Sequence, residues 1–547
     1  MYKKLLFCSI ISLLSCSEYS LAQYHVNYPI IDMGVASTQR PFHGFRVNND
    51  PKLSIWKNID CECNTSLNVL SNASGNGGRW DIVQDVARHN QASALSQAES
   101  NIRISNQYIY PIEYPFLKGV LYTNSAVEPI EVFKCFTGIN MPKEALVNLN
   151  IDYMSTTFVD HIEYMLNEVK YPLNKDGNHF ETYILQRKDN IDSLLKNTNK
   201  NLWLVSIKGG HIFSTGTYLY QDQKDTPEFK QVVLDNVDKL KGLKPIPRPG
   251  KDPMTLNKFP IFSISFDSYF GDGITGKSAK FLPVERDAFL AQDLKSGVTD
   301  VGKEVIEKLL KKDNLQDRIL IDVNGMNVKS REWYYSYIKE KRYMKDTIPI
   351  LALSVGISGL KTSDNDYGNN DELIKETPAT LLNNRHANLN REDILQIVQS
   401  HGLVGLSLER DKLMGAIFRM RYNNTVPGSA NRRRVVLEAI VANICRFIQV
   451  AQTREAWDMI SISTNFDLYG RYLEPYDSTS ELPLLAKDLH EFFSNPRPID
   501  GLYTEREIKQ FLYNFKPEEL VEKIMYKNAL NFIKKHFPNN GKENTGS

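Results

Sequence analysis

Cysteine is scarce in this chain, which has six cysteines in 547 residues. Those beyond the N-terminal segment are Cys61, Cys63, Cys135 and Cys445. So few cysteines exclude a disulfide-dense scaffold. The Cys-x-Cys pair has no second pair that would complete a zinc site, so loop cysteines or a single disulfide are the favoured interpretation. The spacing does not predict which of them would pair.

An excess of charge of one sign is also lacking, because 66 Lys and Arg residues against 65 Asp and Glu residues give a formal net charge of +1. A nucleic-acid-binding protein is expected to carry a clear basic excess, so we expect no nucleic-acid partner. Beyond the N-terminus, no stretch approaches the roughly 18 apolar residues of a membrane-spanning helix. With 41% hydrophobic and 24% charged residues, the chain can instead bury a large core.

The N-terminus, "MYKKLLFCSIISLLSCSEYSLAQ", has a basic start, an apolar centre from Leu5 to Leu14 and a polar end. This order is typical of an export signal, and the apolar run is too short to span a bilayer. Two cleavage sites stay open: "LLSC" would leave a lipid on Cys16, whereas "SLA" would leave Gln23 first. We therefore expect an export signal over 1–22 and a bacterial protein that is periplasmic or anchored to the membrane by a lipid.

Short apolar runs alternate with amphipathic stretches along the rest of the chain. The runs typical of strands buried on both faces are 28–36, 202–211, 318–326, 348–356, 402–408 and 459–467. Helices are predicted over 299–314, 329–343, 390–402 and 432–452, from their apolar spacing and their start and stop signals. The Arg432–Arg434 run is interpreted as a solvated helix start. The alternation predicts a parallel α/β sheet, closed or open.

Two segments depart from this pattern. Residues 221–284 are rich in Pro and Lys and have no clean period, which favours a loop-rich insertion over the active face of the fold. Residues 538–547 form a polar tail. Between the export signal and this tail, residues 23–537 are expected to form a single domain.

Several stretches carry a resemblance to a known family. "GVTDVGKEVIEKLL" is followed by "RILIDVNGM", "WYYSY" and "IPILALSVGISG", and further matching stretches lie at 89–116, 388–408, 456–470 and 519–537. In this order they resemble the membrane (renal) dipeptidase family of zinc metallopeptidases, and a longer bacterial branch of it most of all. The resemblance covers most of the mature chain. It implies an enlarged (β/α)8 TIM-type barrel of the metallo-dependent hydrolase kind, with insertions.

The resemblance also implies two zinc ions at the carboxyl-terminal mouth of the barrel, where they would activate a hydroxide for dipeptide hydrolysis. The positions that it assigns to the metal ligands hold Gly34, Ala36, Lys208, Gly325, Ser354 and Asn465. Zinc needs nitrogen, sulfur or carboxylate donors, which Gly and Ala lack, and a lysine brings a positive charge instead. We therefore expect no cofactor at all, although the family holds two zinc ions.

The functional expectation is an exported, dipeptidase-like pseudoenzyme that has lost the binuclear site and binds a peptide-like ligand or a protein partner. Whether it is an enzyme stays open. The alternative is a metal-dependent dipeptidase or hydrolase with a single rearranged metal on Asp32, Asp467 and His211. A homodimer also stays open. We expect the Lys208 ammonium to pair with Asp32, Asp467 or both, because a lysine there would offset the acids of the emptied mouth.

The remaining pocket candidates are polar residues near strand ends. Asp32, Asp322 and Asp467 are interpreted as carboxylates that once supported the metal ligands through hydrogen bonds. His211 is either a former pocket residue or a hydrogen-bonded structural histidine. His43 is either at the mouth or in a rim loop. No Gly-x-Ser-x-Gly motif offers a replacement nucleophile.

Overall fold

The computed structural model describes a defined part of the chain. The described residues are 29–37, 102–109, 154, 158–170, 173–175, 178–196, 200–213, 226–248, 250–256, 259–266, 272–276, 296–312, 318–359, 378–384, 387–466 and 472–538, with only the backbone described between 173 and 180. The export signal, the lipidation candidate and part of the pocket prediction therefore lie outside them. The residues concerned are Cys16, His43, Cys61, Cys63, Cys135 and Asp467.

The described strands number twelve. In chain order they are β1 (Ile30–Val35), β2 (Ile102–Ile109), β3 (Leu173–Lys175), β4 (Asn178–Ile184), β5 (Lys200–Lys208), β6 (Ile246–Arg248), β7 (Lys251–Met254), β8 (Ile261–Ser265), β9 (Leu320–Asp322), β10 (Leu351–Val355), β11 (Leu403–Leu406) and β12 (Ile460–Ile462). Eight of them pair in the order β1-β2-β5-β8-β9-β10-β11-β12, with every pair parallel. Their Ile-, Leu- and Val-rich sequences suit strands that are covered on both faces.

The last strand returns to the first and nearly closes the barrel. Val35 and Phe466 form a parallel bridge. On either side of it, the Ala36 N–H donates to the Phe466 carbonyl at 3.0 Å and the Asn465 N–H donates to the Gly34 carbonyl at 2.7 Å. The predicted enlarged TIM-type α/β barrel is therefore confirmed.

Helices cover the outside of the barrel. They are Val159–Glu168, Ile191–Leu195, Pro227–Leu240, Asp300–Leu310, Val328–Tyr343, Pro378–Leu381, Arg391–Gln399, Arg410–Leu413, Ala416–Asn423, Ala430–Ala451, Leu482–Ser494, Glu505–Phe511, Pro517–Glu522 and Asn528–His536. Side-chain caps fix their starts where the sequence predicted them: Thr299 accepts from the Gly302 N–H, and Asn390 forms a capping box with Asp393. None of the helices in the described ranges is long and apolar enough to cross a membrane.

The amino-terminal half of the barrel interior is apolar and closed by the C-terminal helix. Its cluster includes Ile31, Met33, Ile104, Leu202, Leu204, Phe262, Leu320, Leu351, Leu353, Leu403, Leu530, Phe532, Ile533 and Phe537. The Phe262 ring lies 6.4 Å from that of Phe532 and 6.1 Å from that of Phe537, measured between centroids. The last helix and the residue after it thus seal one end of the barrel and leave the other end for a functional site.

Two strands of the barrel were not predicted. β2 lies in a stretch with several polar residues, "IRISNQYI", all of which are buried. β8, "IFSIS", lies inside the segment that we expected to be a loop-rich insertion, which also contains the helix Pro227–Leu240 and the β6–β7 hairpin. A strand of five residues in a Pro-rich segment is too short to show a recognisable period of apolar residues. This part of 221–284 therefore belongs to the barrel.

The Arg432–Arg434 run is less solvated than expected. The Arg432 guanidinium donates to Glu474 at 2.9 Å and lies over the Tyr422 ring, 4.5 Å from its centroid. Arg433 pairs with the buried carboxylate of Asp488. Only the third arginine of the run has a mostly exposed side chain. The start of this helix is therefore fixed to its neighbours by two ion pairs.

Candidate functional site

The predicted site residues lie at the carboxyl-terminal ends of the barrel strands, which we call the mouth. The positions in question are Gly34 and Ala36 at the end of β1, Lys208 at the end of β5, Gly325 after β9, Ser354 near the end of β10 and Asn465 after β12. In parallel barrels, this end is where the strands present side chains to a ligand. The chain order of the strands thus brings together residues that are far apart in sequence.

Gly34 is held in a space too small for any side chain. A Cβ atom at this position would lie 2.4 Å from the Ser463 hydroxyl oxygen and 2.6 Å from a ring carbon of Tyr108. Neighbouring side chains therefore occupy the volume that an imidazole from residue 34 would need. Ala36 contributes its backbone to the contact between β1 and β12 and has no donor atom in its side chain.

Three other positions of the mouth have a left-handed backbone. The φ angle is 87° at Gly325, 53° at Ser354 and 65° at Asn465. Such angles are uncommon outside glycine, and they concentrate at functional sites because the surrounding contacts must hold them. The left-handed Ser354 lies in a stretch of β10 where the pairing with β11 is irregular. Its hydroxyl oxygen lies 2.8 Å from that of Ser463.

Lys208 is buried, with 3% of its surface exposed. Its ammonium donates to the Asn465 side-chain oxygen at 2.8 Å and lies 5.0 Å from the centroid of the Tyr108 ring. The expected pair with Asp32 is not formed between these two described residues. Asp467, the other expected partner, lies outside the described residues.

Asn465 links Lys208 to a second charged pair that the sequence did not reveal. Its amide N–H donates to Glu409 Oε1 at 2.5 Å, and Lys412 Nζ lies 3.0 Å from the same oxygen. The Lys412 ammonium also donates to the Ser354 carbonyl at 2.6 Å. Two lysines, one glutamate and one asparagine therefore form a continuous chain of contacts across the mouth. We call Lys208, Asn465, Glu409 and Lys412 the mouth chain.

Asp32 serves the contact between β1 and β12. One carboxylate oxygen accepts from the backbone N–H groups of Gly34 at 3.1 Å and Thr464 at 3.0 Å, and the other accepts from the Thr464 hydroxyl at 2.6 Å. Burial raises the pKa of Asp32 to about 7, although these three hydrogen bonds act in the opposite direction. A metal ion on Asp32, as in the single-metal alternative, would have to displace the Thr464 hydroxyl.

Asp322 plays a comparable part between β9 and β10. Its Oδ1 accepts from the backbone N–H groups of Asn324 and Leu353, both at 3.0 Å. Burial, followed by the charge of Asp322, raises the pKa of the Tyr108 hydroxyl well above its usual range. Tyr108 is therefore a neutral, buried phenol.

His211 lies in a short 3-10 helix, Gly210–Phe213, directly after β5 and is buried. The preceding Gly210 packs against Asp272, whose carboxylate oxygen would be 2.2 Å from a Cβ atom at position 210. Asp272 in turn accepts from the backbone N–H groups of Ile274 and Thr275. His211 thus lies at the mouth, in a region fixed by tight packing and turn hydrogen bonds.

The two zinc ions of the resembled family do not fit the donors at the six positions. Glycine and alanine offer no donor atom, the Lys208 ammonium has no lone pair, and the side chains of Ser354 and Asn465 are neutral. Within the ranges that the structure describes, no three His, Cys, Asp or Glu side chains form a group that could hold a metal ion. The mouth chain instead offers ammonium, amide and carboxylate groups for binding.

Comparison with known proteins gives similarity of structure only. No family model matches the sequence, and no curated protein does. A solved structure described as a dipeptidase and metallopeptidase of family M19 is 11% identical, covers 93% of this chain and 98% of its own, and has a TM-score of 0.44. The probable dipeptidase PvdM from Pseudomonas aeruginosa is 12% identical, with coverages of 80% and 86% and a TM-score of 0.42.

A third structure, from Rhodobacter sphaeroides, is a metallopeptidase liganded with a phosphinate mimic of the dipeptide L-Ala-D-Ala. It is 10% identical, with coverages of 93% and 99% and a TM-score of 0.42. These neighbours are metallopeptidases, which contradicts our expectation that the protein has no cofactor.

Sequence reasoning missed Tyr108, Glu409, Lys412 and Ser463. Glu409 and Lys412 lie at the start of the short helix after β11, so the rule that functional residues follow the carboxyl ends of parallel strands would have found them. Tyr108 lies in the strand that was not predicted. Ser463 was inside a predicted strand, but a serine beside a strand end gives no signal by itself.

Proposed function

We propose that the protein is an exported, membrane-dipeptidase-like barrel that has lost the binuclear zinc centre of that family and binds a peptide-like ligand at its mouth. The former ligand positions are, on this proposal, the six residues Gly34, Ala36, Lys208, Gly325, Ser354 and Asn465. A metal ion held elsewhere in the chain is compatible with the proposal.

The mouth chain is the observation that supports the proposal most strongly. Lys208 and Lys412 are both buried and bring two ammonium groups to the end of the barrel where divalent cations would have to bind. Like charges repel strongly in such a poorly solvated place, so each ammonium opposes a metal ion there. Only Glu409 offers a carboxylate within this chain of contacts, and it is already bonded to the Lys412 ammonium and to the neutral Asn465 amide.

The same groups suit a small zwitterionic peptide. A dipeptide carries an ammonium, a carboxylate and an amide, and the mouth presents a partner for each: a carboxylate on Glu409, an ammonium on Lys208, and an amide on Asn465. A few convergent polar groups above an apolar wall are typical of small-molecule sites. The apolar half of the barrel interior provides that wall.

Dipeptide turnover and dipeptide binding together test the proposal. The purified chain is incubated with a panel of dipeptides, with and without added Zn²⁺, and binding is measured by calorimetry. We expect binding without hydrolysis. The Lys208→Glu variant restores only one of several donors, so it should also hydrolyse nothing. Hydrolysis by the parent protein that a chelator abolishes would refute the proposal that the zinc centre has been lost. The absence of any dipeptide binding would refute the proposal of a peptide-like ligand.

Export is tested separately, by mass spectrometry of the mature N-terminus. A lipid-modified Cys16 or a free start at Gln23 would each support export by one of the two routes. Recovery of the intact chain from the cytosol, beginning at Met1, would contradict both.

A further inference from the structure

Asn324 has a side-chain amide that is buried without a hydrogen-bond acceptor. The residue is 3% exposed. Among the residues that the structure describes, no acceptor lies within hydrogen-bonding distance of its Nδ2. A buried N–H group without an acceptor lowers stability, and native proteins keep few of them. Its presence at the mouth therefore needs a reason.

The backbone of Asn324 is fixed on both sides. Its N–H donates to Asp322 Oδ1 at 3.0 Å, and its carbonyl accepts from the Ser265 hydroxyl at 3.0 Å. The next residue, Gly325, has a φ of 87° and no side chain. The backbone that carries the side-chain amide is therefore held in place after β9, beside a position that contributes no side chain of its own.

A second buried group of the same kind lies in the adjacent loop. Thr275 is 3% exposed, and its hydroxyl has no hydrogen-bond partner within the described part of the chain. The loop of Thr275, after β8, contacts the loop of Asn324, after β9, because the Asn327 N–H donates to the Gly276 carbonyl at 3.0 Å. The segments that follow two neighbouring strands thus each carry a buried polar side chain with no hydrogen-bond partner among the described residues.

We infer that Asn324, with Thr275 in the neighbouring loop, forms a polar subsite of the mouth that donates a hydrogen bond to an oxygen atom of the ligand. The inference rests on the proposed function, because it takes the ligand to be peptide-like. The oxygen belongs to an amide carbonyl or to the terminal carboxylate, and both accept from an amide N–H. Asn324 is then a specificity residue, kept in the free protein at a cost in stability.

The Asn324→Leu variant separates a binding amide from a structural one. Leucine removes the unsatisfied N–H and keeps a similar volume, so the urea midpoint of unfolding should stay the same or rise. The affinity for dipeptides, measured by calorimetry, should fall at least tenfold. Asn324→Ala serves the same purpose if leucine does not fit.

Asn327 provides a matched control three residues away. It is 5% exposed, and both ends of its amide are bonded, with Oδ1 accepting from the Ser330 N–H at 2.9 Å and Nδ2 donating to the Ser296 carbonyl at 2.6 Å. The Asn327→Leu variant should therefore lower the urea midpoint. If Asn324→Leu lowers it as much, Asn324 is a structural residue and the inference is wrong.

The ligand side of the test uses each dipeptide and its C-terminal amide. A loss of affinity on amidation that is larger in the parent than in Asn324→Leu assigns the acceptor to the carboxylate, and an equal loss in the two proteins assigns it to the peptide carbonyl. An Asn324→Leu variant that binds dipeptides as tightly as the parent would overturn the inference. If the parent protein binds no dipeptide, the proposed function is refuted, and the inference about Asn324 is refuted with it.

Discussion

The two halves of the barrel interior are built on different principles. The amino-terminal half contains Leu, Ile and Phe side chains that pack against one another and against the C-terminal helix. The carboxyl-terminal half contains lysines, serines and acids that are joined by directed hydrogen bonds. Each strand passes from one environment to the other within a few residues. The apolar half therefore provides most of the packing that stabilises the fold, and residues of the polar half can be exchanged while the fold is kept.

The backbone follows the same division. Ser354 and Asn465 have left-handed φ angles, and both residues make side-chain hydrogen bonds at the mouth. Apolar packing has no comparable demand for direction, because its free energy depends on the area removed from water. The comparison teaches that stability should be lost by volume changes in one half and by changes of charge or hydrogen bonding in the other.

The largest expected effect is in the apolar half. The Phe262→Ala variant removes a ring that contacts Phe532 and Phe537 and should lower the free energy of unfolding by about 3–5 kcal/mol. Chemical denaturation followed by circular dichroism measures the change. Met420→Ala is the control, since this side chain is 53% exposed and its loss should change little. A small effect at Phe262 would mean that the C-terminal helix does not seal the barrel.

The polar half should respond to pH through Asp32. Its pKa is raised from 3.8 to about 7 in the folded protein, so folding favours the protonated acid. The stability that this provides is complete below pH 4 and is lost as the pH rises through 7, by about 4 kcal/mol in total. The Asp32→Asn variant stays neutral and should lose this slope. Unfolding curves between pH 4 and 8 test it, and parallel slopes for the two proteins would contradict the assignment.

Lys208→Met should destabilise the protein by roughly 1–3 kcal/mol, because it removes a buried ammonium and leaves the Asn465 oxygen without this donor. Lys303→Met is the matched control, with a side chain that is 41% exposed and pairs only at the surface with Asp300. That variant should change stability by less than about 0.5 kcal/mol. Equal effects of the two substitutions would show that the mouth chain does not stabilise the fold.

The smallest expected effect concerns the left-handed residues. Gln452 ends the helix Ala430–Ala451 with a φ of 52° and is exposed, so Gln452→Gly should stabilise the protein by about 0.5–1 kcal/mol. Asn465→Gly relieves the same backbone strain but removes contacts to Lys208 and Glu409, so it should destabilise. Thermal denaturation of both variants gives the signs, and stabilisation in both cases would remove the distinction between the mouth and the rest of the chain.

The sequence predicted the apolar half far better than the polar half. The strands of 318–326, 348–356 and 402–408 were recognisable because continuous apolar runs between helical segments are typical of parallel barrels. β2 and β8 were not, since buried polar residues in one and short length in the other obscure the pattern. A barrel interior that is half polar produces strands that do not look buried.

The positions at the mouth could be predicted, but their contacts could not. Strand ends follow from the pattern, so the sequence placed Lys208 and Asn465 at the same end of the barrel. Lys208 donates to the Asn465 amide, and Asp32 accepts from the Thr464 hydroxyl. These contacts depend on the directions of the side chains and on the left-handed backbone of Asn465. Such directions follow from the packed structure and leave no periodic signal.

The seal at the bottom of the barrel has a consequence for how the chain reaches its fold. Asp32 and Thr464 are separated by 432 residues, and the helix that closes the apolar half ends at His536. Almost the whole chain must therefore be made before the first strand can meet the last strand and before the interior is covered. Contacts this distant in sequence form slowly, and exposed strands associate with other chains in the meantime. We expect folding to depend on chaperones that shield β1 until synthesis is complete, and a chain that ends before residue 528 should aggregate.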